Sequence, residues 1–292
     1  MLNLGIHNSI DALLPPEMAE RAEQIGVQKA RLDTLSLVAL AVLAGAFIAF
    51  GSVFSVVVTA GAEGSLPYGV TRLLGGTVFS LGLILVVVGG AELFTGNNLM
   101  VMACVSRRIS ASELLRAWGL VYAGNFVGAL AIALLVFLSG GHTHGNGAVG
   151  LTALASADGK ASLSGAQALI HGVLANILVC LAIWLCYSAR TTTDKILAIV
   201  FPIAAFSAAG FEHSIANMYL LTFALLAKFG ATTAFWDAIG KIPSEFPHLT
   251  LFGALMNLLW VTIGNILGGV VVGTTYWFIY LRKPEGGSCM ES

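Results

Sequence analysis

A hydrocarbon core about 30 Å thick needs about 20 apolar residues of helix. Six stretches of this chain meet that length: roughly 35–60, 67–104, 113–138, 164–188, 195–228 and 249–281. They predict six membrane-spanning helices. The second and fifth are interrupted by polar, glycine-bearing patches, Gly89 to Asn98 and Gly210 to Ser214. A charged turn, Ser188 to Lys195, separates the fourth from the fifth, with Thr193 or Asp194 as the expected N-cap. Ahead of the first span, Pro15 to Ala30 predicts a short amphipathic helix. Pro15 and Pro16 suit its start, and Met18, Ala22 and Ile25 offer an apolar face. Its role stays open between a lead-in helix packed on the membrane or a neighbour and a gate. The expected organisation is an N-terminal segment over 1–34, a transmembrane domain over 35–282 and a tail over 283–292.

The two interrupted spans align without gaps. Gly90-Ala-Glu92-Leu93-Phe-Thr-Gly-Asn97 and Gly210-Phe-Glu212-His213-Ser-Ile-Ala-Asn217 share Gly, Glu and Asn. The spans that follow match as Gly124-Asn125-Phe-Val-Gly128 against Gly264-Asn265-Ile-Leu-Gly268, and those that precede as Val42-Leu-Ala-Gly45 against Val173-Leu-Ala-Asn176. Spans one to three therefore repeat as four to six. Three is odd, so the second copy enters the membrane from the opposite side. Non-helical backbone at membrane depth survives only where protein buries it or a cavity adjoins it. Paired broken helices in an inverted repeat point to a transport site near the midplane.

Composition agrees. The 292 residues are 57% hydrophobic and 10% charged, against about 25% charged for soluble domains, and mean hydropathy is +0.89. The net charge of −1 and the lack of a basic block give no grip for nucleic acid. Residues 1 to 33 are polar and mixed in charge, unlike a secretory signal. Cys104, Cys180, Cys186 and Cys289 form no CxxC pair and read as reduced thiols, with neither disulfide framework nor zinc site. Lysine and arginine favour the cytoplasmic side. With both termini inside, ten of them lie inside and only Arg72, Lys160, Lys228 and Lys241 outside.

Four ionisable residues sit deep in apolar spans: Glu92, Glu212, His213 and His171. A charge at the bilayer centre costs about 2.5–3.5 kcal/mol or more, so each is a functional candidate. His213 is expected neutral at rest, able to donate a hydrogen bond to an anion or hand it a proton. Glu92 and Glu212 are expected as structural carboxylates accepting backbone N–H groups freed at the breaks. His171 reads as a core or interface residue. His142 and His144, in a glycine-rich outer loop without a third ligand, read as solvated and not as a metal site. Gly128, Gly264, Gly268 and Gly269 mark close helix packing. Asn125 and Asn265 should face protein or pore; for Asn265, structural bonding and pore lining stay open.

At Gly90-Ala-Glu-Leu-Phe-Thr-Gly-Asn-Asn98 and Gly210-Phe-Glu-His-Ser-Ile-Ala-Asn-Met218 the chain resembles the formate/nitrite transporter family, its Ω-loop motif and its histidine motif. Leu13-Leu-Pro-Pro-Glu-Met, Phe79-Ser-Leu-Gly-Leu-Ile-Leu85 and Thr274-Thr-Tyr-Trp-Phe-Ile-Tyr280 look most like the formate branch. The resemblance implies an all-α, aquaporin-like fold, a homopentamer in a bacterial inner membrane, one pore per protomer, no cofactor and formate or a related small anion as solute. Carried over by motif, Leu93, Phe94 and Thr95 lie on the Ω-loop beside the pore. Phe79, Leu83 and Phe206 would form apolar constrictions, and His213 the central polar residue flanked by Asn176 and Asn265. Lys160 would draw anions into the outer vestibule. Rival readings are a nitrite or hydrosulfide channel on the same scaffold and a neutral-solute channel, whose paired Asn-Pro-Ala motifs are absent. An intramembrane hydrolase using Ser214 and His213 lacks a third orienting group.

Overall fold

The computed structural model describes residues 12–282; Lys283, Cys289, the tail over 283–292 and residues 1–11 of the N-terminal segment lie outside them. Among the described residues the chain is all helix. The lead-in helix α1 spans Pro15–Ala30, α2 Thr34–Thr59 and α3 Tyr68–Gly89. After a break come the short helices α4 (Phe94–Asn97) and α5 (Val101–Val105), then α6, Ala111–Leu138. The second half holds α7 (Ala148–Ala161), α8 (Gly165–Ser188), α9 (Thr192–Ala208), α10 (Ser214–Gly230), α11 (Thr233–Ile239) and α12 (Leu251–Tyr280). Five of these, α2, α3, α6, α8 and α12, are long and apolar enough to cross a membrane. The fifth apolar segment of the sequence is divided into α9 and α10.

Side-chain caps mark where the spans begin, as orphan N–H groups in a first turn require. Asp33 accepts from the Ser36 amide, which holds its carboxyl below the usual carboxylate range. Ser110 with Glu113 opens α6, Ser164 with Gln167 opens α8, and Thr250 caps α12. The cap of α9 is Thr191, neither Thr193 nor Asp194. Thr191 accepts from the Asp194 amide, while the Asp194 carboxylate accepts from the amides of Arg190 and Thr191. Asp194 is thus the return arm of a capping box.

Packing follows the repeat. In the first half α2 packs on α6 and α3; in the second α8 packs on α12 and α9. Helix backbones nearly touch where the glycines lie. A Cβ on Gly128 would run into the Val42 carbonyl, and one on Gly268 into the Val173 carbonyl.

Two further outcomes differ from the sequence reading. The loop 139–163 holds helix α7, whose Val149, Gly150, Ala153, Leu154 and Ala157 are buried at helical spacing. Alternation of Ala, Gly and Ser with few large apolar residues hid that period. His142 is not solvated: its ring stacks on Phe137 at 4.7 Å and meets Phe235 edge-on at 5.2 Å, while His144 is exposed. Burial there pushes the His142 pKa down.

Helix α1 lies where expected, but its buried face is Met18, Ala19, Ala22, Gly26 and Ala30, with Ile25 only half-buried. The i, i+4 run 18, 22, 26, 30 turns toward α5, and Gly26 sits against Ala103 and Met100. Arg108 to Glu23 and Ser188 to Leu13 tie α1 to the turns at that end. The turn 60–67, α7 and the segment 231–250 gather at the opposite end, below called the loop face.

Candidate functional site

Helix α9 cannot run into α10. Gly210 takes φ 76°, a left-handed conformation that glycine adopts without penalty, and the Phe211 amide turns back to the Phe206 carbonyl at 3.1 Å. This is a helix C-terminal stop. The carbonyls it frees are taken up by side chains: Arg72 donates to Ser207 and Ala208, and His171 Nδ1 lies 3.1 Å from the Gly210 oxygen. His171, half-buried and edge-on to Phe211, thus belongs to the break. Three residues later α10 starts with its own orphan amides. Asn265 Oδ1 accepts from Ser214 N at 2.9 Å, and Asn265 Nδ2 donates to the carbonyls of Gly172 and Glu212.

The first break has the same parts. Gly90 takes φ 79°, and Ala91 N bonds Val86 O. Glu92 N bonds Leu40 O as Glu212 N bonds His171 O. Asn125 accepts from Phe94 N and donates to the carbonyls of Ala41 and Glu92. Each asparagine therefore ties its break to a neighbouring helix, accepting from the first amide of the helix that follows and donating to one carbonyl in the break and one on that neighbour. For Asn265 these bonds supply the structural role.

The carboxylates do not cap the breaks, contrary to expectation. Glu212 accepts from Lys160 Nζ at 2.6 Å and Asn217 Nδ2 at 2.6 Å. Glu92 accepts from Lys29 Nζ at 2.9 Å and Asn97 Nδ2 at 2.7 Å. The asparagine clamps already satisfy the freed amides, which leaves each carboxylate to hold a cation reaching in from a flanking helix. Asn257 completes the second cluster, accepting from Asn217 and donating to the Lys160 carbonyl.

A cavity of about 1050 Å³ lies at the loop face and reaches His213. Its lining carries Arg72, Lys160, Lys241, Glu63 and Glu245, together with Phe79 and Phe206. Those two rings meet edge to face with centroids 5.6 Å apart, and the Phe206 ring lies 6.1 Å from that of His213. His213 is buried. Its Nδ1 accepts from the Ala216 amide at 3.1 Å, and its Nε2 lies 2.8 Å from Thr95 Oγ1. An Nδ1 that accepts carries no proton, so the neutral ring places its N–H on Nε2, directed at the Thr95 hydroxyl.

The remaining expected residues gather behind this pair. Asn176 Nδ2 donates to Thr95 O, Asn98 Oδ1 and Asn265 O. Leu83 and Leu93 are buried. The Phe94 ring packs on α6 against Tyr122 and Trp118 and does not line the cavity. Asn176 Oδ1, Asn98 Nδ2 and Ser214 Oγ are buried without a protein partner. They are open hydrogen-bonding positions around the Thr95 and His213 segment. Lys29, Arg72, Asn98 and Asn257 were not singled out from the sequence. The only signal was the shared Asn five residues after each glutamate, which marks the two carboxylate clusters. Among the described residues no group of three or more His, Cys, Asp or Glu could hold a metal ion.

Comparison with known proteins places this geometry in context. The family model described as Formate/nitrite transporter matches residues 16–278. The chain is 47% identical over 280 residues to the formate channel FocA of Escherichia coli (strain K12), covering 95% of this chain and 98% of that one. It is 41% identical over 261 residues to the formate channel FocA of Haemophilus influenzae, covering 89% and 92%. Among solved structures it resembles a pentameric formate channel with formate bound, with TM-score 0.81 and 43% identity over 85% of this chain and 98% of that one.

Proposed function

This chain belongs to the formate/nitrite transporter family, and on that premise we propose that it passes formate across the bacterial inner membrane as a homopentamer with one pore in each protomer. It is a transport protein and not an enzyme. The observation that carries the reading is the cavity of about 1050 Å³ whose lining brings together the Phe79 and Phe206 rings and His213. The 47% identity to a formate channel over nearly the whole chain supports the choice of solute. The lysine and arginine bias puts the loop face outside and both termini in the cytoplasm.

A bare anion meeting the apolar ring pair faces a large desolvation cost. An inside-negative potential adds about 2.3 kcal/mol per charge per 100 mV against uptake. Protonating formate removes both. In the proposed path the anion enters the vestibule, and the ring pair favours its neutral form. The Nε2–H of His213 then donates a hydrogen bond to it, and the proton that neutralises formate comes from vestibule water, because a neutral imidazole has no acidic proton to give. Nδ1 is engaged by the Ala216 amide, so Nε2–H is the one donor of the ring, and it turns to the solute from Thr95 Oγ1, 2.8 Å away. Uptake is then coupled to protons, while efflux at neutral pH runs as a channel. Leu83, Leu93 and Asn176, buried outside the lining of the cavity, would flank the path beyond it.

The test is flux of formate, nitrite and hydrosulfide into proteoliposomes at an outside pH of about 5 and about 7.5, a change in the proton supply to which coupled uptake must respond. Formate flux should be fastest and should rise at the lower pH. Nitrite or hydrosulfide outpacing formate would move the chain to another branch of the family. A His213→Phe protein with native, pH-dependent formate uptake would refute the role of His213.

A further inference from the structure

We propose that Arg72, and not Lys160, supplies the positive charge that captures anions in the vestibule; this rests on the formate reading above. The charges lining the cavity divide into pairs and singles. Lys160 is bound to Glu212 at 2.6 Å and Lys241 to Glu245 at 2.6 Å, so each cation is neutralised where it stands. Arg72 bonds only backbone, its Nε to Ala208 O and its Nη2 to Ser207 O. A carbonyl is a dipole and leaves the guanidinium charge whole. The one other single charge on the wall is Glu63, which stands exposed in the turn at the rim, where water screens it. Arg72 is half-buried, next to Gly210 and the break, where screening is weaker.

The bonding also sets the chemistry of the ligand. Of the five guanidinium donors, Nε–H and one Nη2–H are held by α9, which fixes the plane of the group. The edge formed by Nη1 and the second Nη2–H remains. Two parallel N–H groups on a fixed plane match a planar monoanion with two oxygens, a carboxylate, better than a spherical ion. The site is a first station for formate, ahead of the Phe79 and Phe206 ring pair.

The same bonds mean that Arg72 also holds the end of α9, and the experiment must separate the two roles. Formate flux into proteoliposomes is measured against formate concentration at low and high ionic strength for wild type, Arg72→Gln, Arg72→Lys and Glu63→Gln. Gln keeps a donor for the α9 carbonyls but removes the charge. For Arg72→Gln the half-saturating formate concentration should rise roughly two- to tenfold at low salt, with the maximal rate little changed and the salt dependence flattened. Arg72→Lys should restore most of the salt dependence, and Glu63→Gln should lower the half-saturating concentration slightly. Wild-type salt dependence in Arg72→Gln overturns the inference. So does a fall in maximal rate shared by Gln and Lys with half-saturation unchanged, since that is the signature of a tether alone. A wild-type protein that carries no formate would instead overturn the proposed function.

Discussion

Removing Lys160 tests whether its charge serves the anion or the fold. Glu212 is 3% exposed and holds Lys160 at 2.6 Å, with the Lys160 side chain 23% exposed to the vestibule. At that separation the gross attraction is about 6 kcal/mol in an effective dielectric of about 20, most of it offset by desolvation of the two charges. Breaking such a pair strands the buried partner, at about 3–5 kcal/mol. Lys160→Met strands Glu212, so about 3 kcal/mol is expected, the low end because vestibule water reaches the site. Glu212→Gln keeps a partner for Asn217 and leaves a lysine that can turn into that water, so about 1–2 kcal/mol is expected. The double variant strands nothing and should cost no more than Glu212→Gln alone, a coupling of about 3 kcal/mol. Equilibrium unfolding in mixed micelles gives the three stabilities, and proteoliposome flux per folded protomer gives function. Flux should fall in Lys160→Met and recover in the double variant. Singles that add within about 0.5 kcal/mol would refute the coupling. A double variant as stable as expected but as poor in flux as Lys160→Met would show that the lysine charge itself handles the anion.

Three further outcomes follow from the packing. Gly268→Ala drives a methyl into the Val173 carbonyl; backbone gives way less readily than side chains, so a loss of about 3 kcal/mol is expected, seen as a lower yield of assembled oligomer on size exclusion. Asn265→Asp keeps the acceptor for Ser214 N but loses both donors to Gly172 O and Glu212 O, so a loss of about 2–4 kcal/mol is expected by the same micelle unfolding. His142 has its pKa lowered by burial from its ordinary 6.5, so below that pH the opened loop binds a proton that the packed loop does not, and packing weakens as pH falls. Amide exchange over 139–147, corrected for intrinsic rates, should therefore be faster at acid pH than at neutral pH. His142→Phe should abolish the difference.

The spans and their breaks were legible because the signals that mark them are local. Length and hydropathy give α2, α3, α6, α8 and α12, and a glycine, a glutamate and an asparagine at one spacing mark both breaks. Asn125 and Asn265 were legible as buried polar residues, but their partners were not, since each holds one carbonyl on another helix and one in the distant break. Phe79 and Phe206 came only from the family motif, because an aromatic in an apolar run looks the same whether it lines a cavity or a lipid contact. The least legible feature was the pairing of charges. Lys29 precedes Glu92 by 63 residues, and Lys160 precedes Glu212 by 52, so no fixed spacing links the two clusters.

That pairing changes what the repeat contains. Helix α1 packs on α5 and α8 and sends Lys29 to Glu92; helix α7 packs on α10 and α2 and sends Lys160 to Glu212. The two surface helices thus hold corresponding places, each bringing one lysine to the carboxylate of one break. The sequence left the role of α1 open and showed the α7 region only as part of a glycine-rich loop. As members of the repeat, both are fixed to the pore by a cation that is costly to leave unpaired. A displacement of either helix must break an ion pair at a break. The Lys29–Glu92 and Lys160–Glu212 pairs therefore act as equivalent clamps, one at each break, and α1 is held in place by the first of them.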